Sequence, residues 1–212
     1  VNALMPSQYG TIYTYDLMVV TDQKDMDVLR GELAQDENIA DFLAVQTENI
    51  KLINAAGASE KIQLMVIPDG GDIGAYINLF NTGGKAMRMD ANDVLLTQNV
   101  AEILDFKQND TIQLQNADLV QRNVSISGIV RNYLGNTMYM RQSLYETLFG
   151  AYAPNCMLAH LADTCADQGA YAESLLDNEL VLSSLSTVSQ VEDFGFDLIN
   201  AVVALLIVMA GG

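Results

Sequence analysis

The stretch Asp93-Val-Leu-Leu-Thr-Gln-Asn-Val-Ala-Glu-Ile-Leu-Asp-Phe106 changes its hydrophobic period partway along. Residues 93–96 form a short apolar run bounded by polar residues, which reads as a buried strand. From Thr97 onward the spacing predicts a helix over 97–106 that buries Val100, Ile103 and Leu104. Two more strands follow, over 111–114 and 120–130, the second alternating through Val124, Ile126 and then Ile129. Strands and helices mixed in this way, without strict βαβ alternation, predict an α+β fold with mixed or largely antiparallel sheets.

The same reading extends in both directions. Upstream, a strand is expected over 11–20, and Thr21 or Asp22 caps a helix to about Gln35 with Met26, Leu29 and Leu33 on one face. A long β-like run over 39–52, the turn Asn54-Ala-Ala-Gly57 and a returning run over 61–67 predict a hairpin. Pro68-Asp-Gly-Gly-Asp72 breaks the pattern, a short helical segment over 73–80 follows, and Asn81-Thr-Gly-Gly84 breaks it again. Downstream come a turn over 132–136, a strand over 138–140 and a helix over 141–149 closed by Gly150. A strand over 156–162, a helix over 167–177 and a strand over 179–185 complete the body. The Gly-rich breaks suggest two lobes after a lead-in over 1–10. The first takes about 11–68 and 137–195, and a second, about 69–136, is inserted into it.

Ser186 or Thr187 then caps a helix expected to run through Val191, Phe194 and Leu198 into Ala-Val-Val-Ala-Leu-Leu-Ile-Val-Met-Ala-Gly-Gly212. This last run is apolar on every side, so it is not an amphipathic surface helix. It is shorter than the ~20 residues a span needs. It fits either a buried terminal helix or the first turns of a transmembrane helix, over 196–212, that continues past Gly212. We read it as the latter. The start at Val-Asn-Ala, without a signal-peptide pattern, fits an internal fragment of a longer chain.

Half of the 212 residues are hydrophobic, enough for a real core. The formal net charge of −17 repels phosphate backbones, so nucleic acid is not an expected partner. Two cysteines, Cys156 and Cys165, are too few for a disulfide scaffold. Whether they pair depends on a Cα separation that spacing does not give.

Several constellations invite a chemical reading. Asp69-Gly-Gly-Asp-Ile-Gly74 and Gly83-Gly-Lys85 look like phosphate loops, but Ala86 stands where a Walker loop needs Ser or Thr, and turns are the better reading. His160, the single histidine, lies between Cys156 and Cys165. Those three could begin a zinc site, but the spacing matches no standard one. A Cys–His pair oriented by Asp163 would need side chains that face each other, and residues of one strand do not. Asp69 with Asp72, and Asp90 with Asp93, lack the alternating ligands and distal Glu of a calcium loop and read as turn and cap residues. Asn109-Asp-Thr111 and Asn123-Val-Ser125 match the glycosylation acceptor by chance, and the methionines read as core. No catalytic, cofactor-binding or metal-binding residue is assigned, and no cofactor is expected.

Five stretches occur in a telling order: Tyr15-Asp-Leu-Met-Val19, Val94-Leu-Leu-Thr-Gln-Asn-Val-Ala-Glu-Ile-Leu104, Asn109-Asp-Thr-Ile112, Val124-Ser-Ile-Ser-Gly-Ile-Val130 and Asn132-Tyr-Leu-Gly-Asn136, before the apolar terminus. Over most of its length the chain resembles the extracytoplasmic domain of FtsX-like (MacB-like) ABC transporter permeases. Asn109 stands where that family usually has Gly. The resemblance implies a two-lobed α+β periplasmic core domain on the outer side of the cell membrane, held there by its terminal helix. It implies a separate cytoplasmic ATPase, binding of an outside partner or substrate (a protein or peptide among the partners), transmission of conformational change to the membrane helices, pairing of permeases and no enzymatic role. The competing readings are a membrane-anchored sensor or adhesion domain without an ATPase, and a hydrolase built on the acidic loops.

Overall fold

A computed structural model describes residues 11–132 and 135–188 of the chain. The expected lead-in, part of the turn over 132–136 and the terminal apolar run lie outside them. Ten strands and four α-helices follow in the order β1 (Leu17–Thr21), α1 (Met26–Leu33), β2 (Ile39–Ile53), β3 (Ser59–Ile67), β4 (Val94–Thr97), α2 (Gln98–Leu104), β5 (Thr111–Gln115), β6 (Gln121–Ser125), β7 (Gly128–Val130), β8 (Thr137–Arg141), α3 (Gln142–Phe149), β9 (Cys156–Leu161), α4 (Gln168–Ser174) and β10 (Val181–Ser186), counting the described residues. The class is α+β with mixed sheets, as the patterning predicts.

The chain forms two compact units. Among the described residues one takes 11–45, Gly71–Asn78 and 153–188; the other takes Gln46–Gly70 and Leu79–Tyr152. In the first unit β1 lies between β10 and β9, antiparallel to both, and β9 pairs antiparallel with the first half of β2. Alternation puts Leu17 and Val19 of β1, Ala44 of β2 and Met157, Ala159 and Leu161 of β9 on one face. That face packs with Met26, Leu29 and Leu33 of α1 and Ala172 of α4. The three α1 residues are those that the helical spacing selects. Asp22 starts this turn by accepting from the Lys24 amide at 3.2 Å.

In the second unit the second half of β2 and β3 form the expected hairpin, with Gln46 opposite Val66 and Ile53 opposite Ser59. β3 runs parallel to β8, β8 antiparallel to β4, and β4 parallel to β7. β5 pairs antiparallel with the far end of β2 and with β6. At the hairpin turn the Asn54 side chain accepts from the Ala56 and Ala58 amides at 3.0 and 2.9 Å.

Four local expectations need correction. The first strand starts at Leu17, not at residue 11, because Thr14 and Tyr15 donate their amides to Tyr76 instead of to a ladder. The helical segment over 73–80 shrinks to a 3-10 turn, Ile73–Ala75; beyond it Ile77 bridges Tyr13 and Phe80 bridges Ala86. Ile103 is 52% exposed, since the seven-residue α2 buries the stripe Val100, Ala101 and Leu104 and Ile103 falls beside it. The strand over 120–130 is two strands. Ile126 bonds back to Asp110 and Ser127 to Val94, so β6 stays with β5 while β7 turns to β4. Gly128, at the start of β7, leaves room for its neighbours: a Cβ there would lie 2.8 Å from the end of Met87 and 3.2 Å from Leu95.

Asn109 has φ 73°, in the left-handed region that glycine enters without steric cost. Asparagine tolerates it better than other side chains do, which accounts for Asn at a position where the resembling family carries Gly. Asn109→Ala is therefore expected to lose about 1 kcal/mol of unfolding free energy, while Asn109→Gly holds within a few tenths. Urea titration of both variants measures the difference.

Candidate functional site

β2 carries a bulge where it meets β9: Ile39 pairs with Leu161, but Asp41 rather than Ala40 stands opposite His160. Bulges re-aim side chains in this way. Because Met157, Ala159 and Leu161 face the helices, His160 projects from the opposite face of the first unit's sheet. The bulge puts Asp41 there beside it, and Gly71–Asn78 brings Tyr76 onto the same face.

The three side chains converge on one oxygen. Asp41 Oδ1 accepts from the Tyr76 hydroxyl at 2.7 Å and lies 2.6 Å from His160 Nδ1. The tyrosine and imidazole rings stack, with centroids 4.5 Å apart and planes 11° from parallel. Partial burial pushes the Asp41 carboxyl up, but the bonds from Tyr76 and His160 and the histidine's charge outweigh it and hold the carboxyl below the ordinary value. The Tyr76 hydroxyl is pushed well above its ordinary value, first by burial and then by its bond to Asp41. A carboxylate, an imidazole and a tyrosine within bonding distance can hold or move a proton. Among the described residues the hydrogen-bond partner of the imidazole is Asp41 rather than a serine or cysteine.

The sequence singles out His160 but associates it with other residues. Cys156 starts the same strand, about 13 Å away at ~3.3 Å per residue, and its thiol is pushed by burial up to about 12. Cys165 packs against the helix-side core, across the sheet from His160, and both cysteines are free. Asp163 is exposed in a turn past β9. Among the described residues no three His, Cys, Asp or Glu side chains group as a metal site. Neither Asp41 nor Tyr76 carries a local sequence signal; only the bulge register brings them in.

The acidic loops serve the backbone. Asp69 accepts from the Ser143 hydroxyl and, at 3.3 Å, from its amide, at the first turn of α3. Asp72 accepts from the Gly74 amide at 3.1 Å, and Asp93 from the Asp90 amide at 2.7 Å. Asn81 accepts from the Lys85 amide at 2.9 Å, and Gly84 has φ 84°, so Gly83-Gly-Lys85 is a tight turn rather than a phosphate cradle. Met18, Met26, Met65, Met138 and Met140 are buried in the core.

No family model matches the sequence, and no curated protein matches it. The periplasmic region of MacB from Actinobacillus actinomycetemcomitans matches in structure over 91% of this chain and 99% of its own, with TM-score 0.50 and 11% identity. The fold is that of a MacB-like periplasmic domain. The extracellular domain of the noncanonic ABC-type transporter YknZ from Gram-positive bacteria matches over 81% of this chain and 98% of its own, with TM-score 0.49 and 14% identity. Among the described residues no helix is long and apolar enough to cross a membrane.

One half-buried acid of the second unit stands apart. Glu48 of β2 is pushed above its ordinary value by burial and by repulsion from Asp118, against a hydrogen bond from Tyr145. Its Oε1 is sealed from solvent with no hydrogen-bond partner among the described residues. A folded-state value above the unfolded one means that the stabilising proton is fully present below the ordinary carboxylate range and is lost as pH rises through the folded value. At neutral pH the charged carboxylate thus costs stability. Glu48→Gln is expected to raise the thermal midpoint at pH 7, with the gap closing below about pH 4. Calorimetry at the two pH values measures it.

Proposed function

We propose that this chain is the extracytoplasmic domain of an ABC transporter permease. In this reading it binds a protein or peptide outside the cell membrane and passes conformational change to the membrane helices. The observation that supports it most is the match in fold to a transporter's periplasmic region over nearly the full length of both chains. The apolar run over 201–212 fits the same reading, as the first part of a stretch that would enter the membrane. A separate cytoplasmic ATPase and pairing of permeases follow from the same reading. It asks of the domain binding and mechanical coupling, and no catalytic residue.

The net charge of −17 adds a preference about the partner. An acidic surface favours a basic contact face and raises the rate of encounter at low salt. It also keeps the domain off anionic lipid headgroups.

The test uses the whole protein in its cell. Lys61 is exposed on β3, and Lys61→Cys with Cys165→Ser provides a surface thiol. We expect the protein to stay in the membrane pellet after alkaline carbonate, and the new thiol to react with a membrane-impermeant maleimide in intact spheroplasts. Extraction by carbonate, or labelling only after lysis, would overturn the reading.

A further inference from the structure

The loop between β5 and β6 is closed by Asn116 and Val120. The Asn116 amide donates to the Val120 carbonyl at 3.1 Å, and the Val120 amide to the Asn116 side-chain oxygen at 2.9 Å. Residues 117–119 lie between them. A three-residue hairpin loop ends on a residue in the left-handed region, which glycine enters without steric cost. Here that residue is Leu119, with φ 63°. Among the described residues the other non-glycine positions at positive φ are Asp105 and Asn109, both of types that tolerate it. Leu119 is also 73% exposed, the most exposed large hydrophobic side chain among the described residues.

Either feature alone is ordinary, since single apolar residues occur on every surface. Their coincidence is not, because glycine or asparagine at this position would remove the strain and the apolar exposure together. Folding and solubility both disfavour leucine here, and strain of this kind persists where function uses the residue. We propose that Leu119 is the apolar anchor of an interaction surface at the tip of the β5–β6 hairpin, and that its partner is another protein with an apolar pocket bordered by lysine or arginine. The anchor presupposes the partner-binding role proposed above and adds the residue and the chemistry of the contact.

The charge of that pocket follows from the charge of the tip. Asp118, beside Leu119, is exposed. Its charge reaches Glu48 and the Tyr145 hydroxyl in the same unit and helps to push both up, after burial. Among the described residues no lysine or arginine forms an ion pair with Asp118. Arg122, the hairpin's own cation, is turned to the carbonyls of Leu148 and Gln121. An incoming basic side chain therefore meets a carboxylate without a counter-ion, next to an apolar group that gains by leaving water. A second copy of the chain is a poorer fit, because it brings a net charge of −17 against −17.

The experiment places the photoreactive residue p-benzoylphenylalanine at Ala117, exposed two positions before Leu119, in the full-length protein in intact cells. The adduct and its attachment site are identified by mass spectrometry. We expect one protein other than this chain, joined at an apolar surface with a lysine or arginine beside it. Adduct yield should fall about tenfold or more in Leu119→Gly, the loss of one buried leucine side chain, and largely hold in Leu119→Met. In the 212-residue chain Leu119→Gly is expected to leave the urea midpoint level or raise it, because it relieves the left-handed strain. The anchor would be overturned by the absence of a protein adduct, by an adduct only with a second copy or with lipid, or by attachment in an acidic surface. A yield unchanged by Leu119→Gly, or a lowered midpoint, would overturn it too. The thiol at position 61 reports separately: if it reacts from outside and no adduct forms, the anchor falls while the extracytoplasmic reading stands.

Discussion

The structure depends on satisfying the backbone of β2. Fifteen consecutive extended residues present donors and acceptors to both sides, and an unpaired buried group costs about as much as a lost hydrogen bond. β2 meets this demand with three partners. Its first half bonds to β9, its second half to β3, and its last three residues also to β5. The division between the compact units falls at Val45 and Gln46, inside this strand. One strand therefore takes part in the ladders of both units.

The second consequence of this arrangement is that polar side chains are used largely to hold backbone. The chain has ten lysines and arginines against twenty-seven acids. Arg141 reaches the carbonyls of Pro68 and Met89, Arg131 that of Thr82, and Arg122 that of Leu148. Asp69 holds the start of α3, and Asn54, Asn81 and Asn116 close turns through their side-chain oxygens. These uses explain why acidic loops that look chemical in sequence are structural. At Asp41 the partners are side chains, and Asp36 likewise accepts from the Tyr171 hydroxyl.

The hydrophobic periods were legible in the sequence, and with them most elements. Met26, Leu29 and Leu33 announce α1, the run over 39–52 announces β2, and the ordered stretches from Val94 to Val130 carry the likeness that the MacB fold bears out. Local period is less informative where a segment exchanges ladder bonds for other partners. Thr14 and Tyr15 read as strand but bond to Tyr76, and the alternation through Ile126 continues across a point where the ladder changes hands. His160 was visible as a lone histidine, yet its setting was not, because Asp41 and Tyr76 lie 119 and 84 positions away in sequence.

The sequence by itself determined the α+β class and most of the apolar faces, because these rest on spacing of a few residues. Only the tertiary structure decided which strands share a ladder, where the chain passes between its units, and which side chains meet at Asp41. The physical reason is register. A one-residue bulge at Ile39–Asp41 moves every later side chain of the pairing by one place, and no local pattern records it.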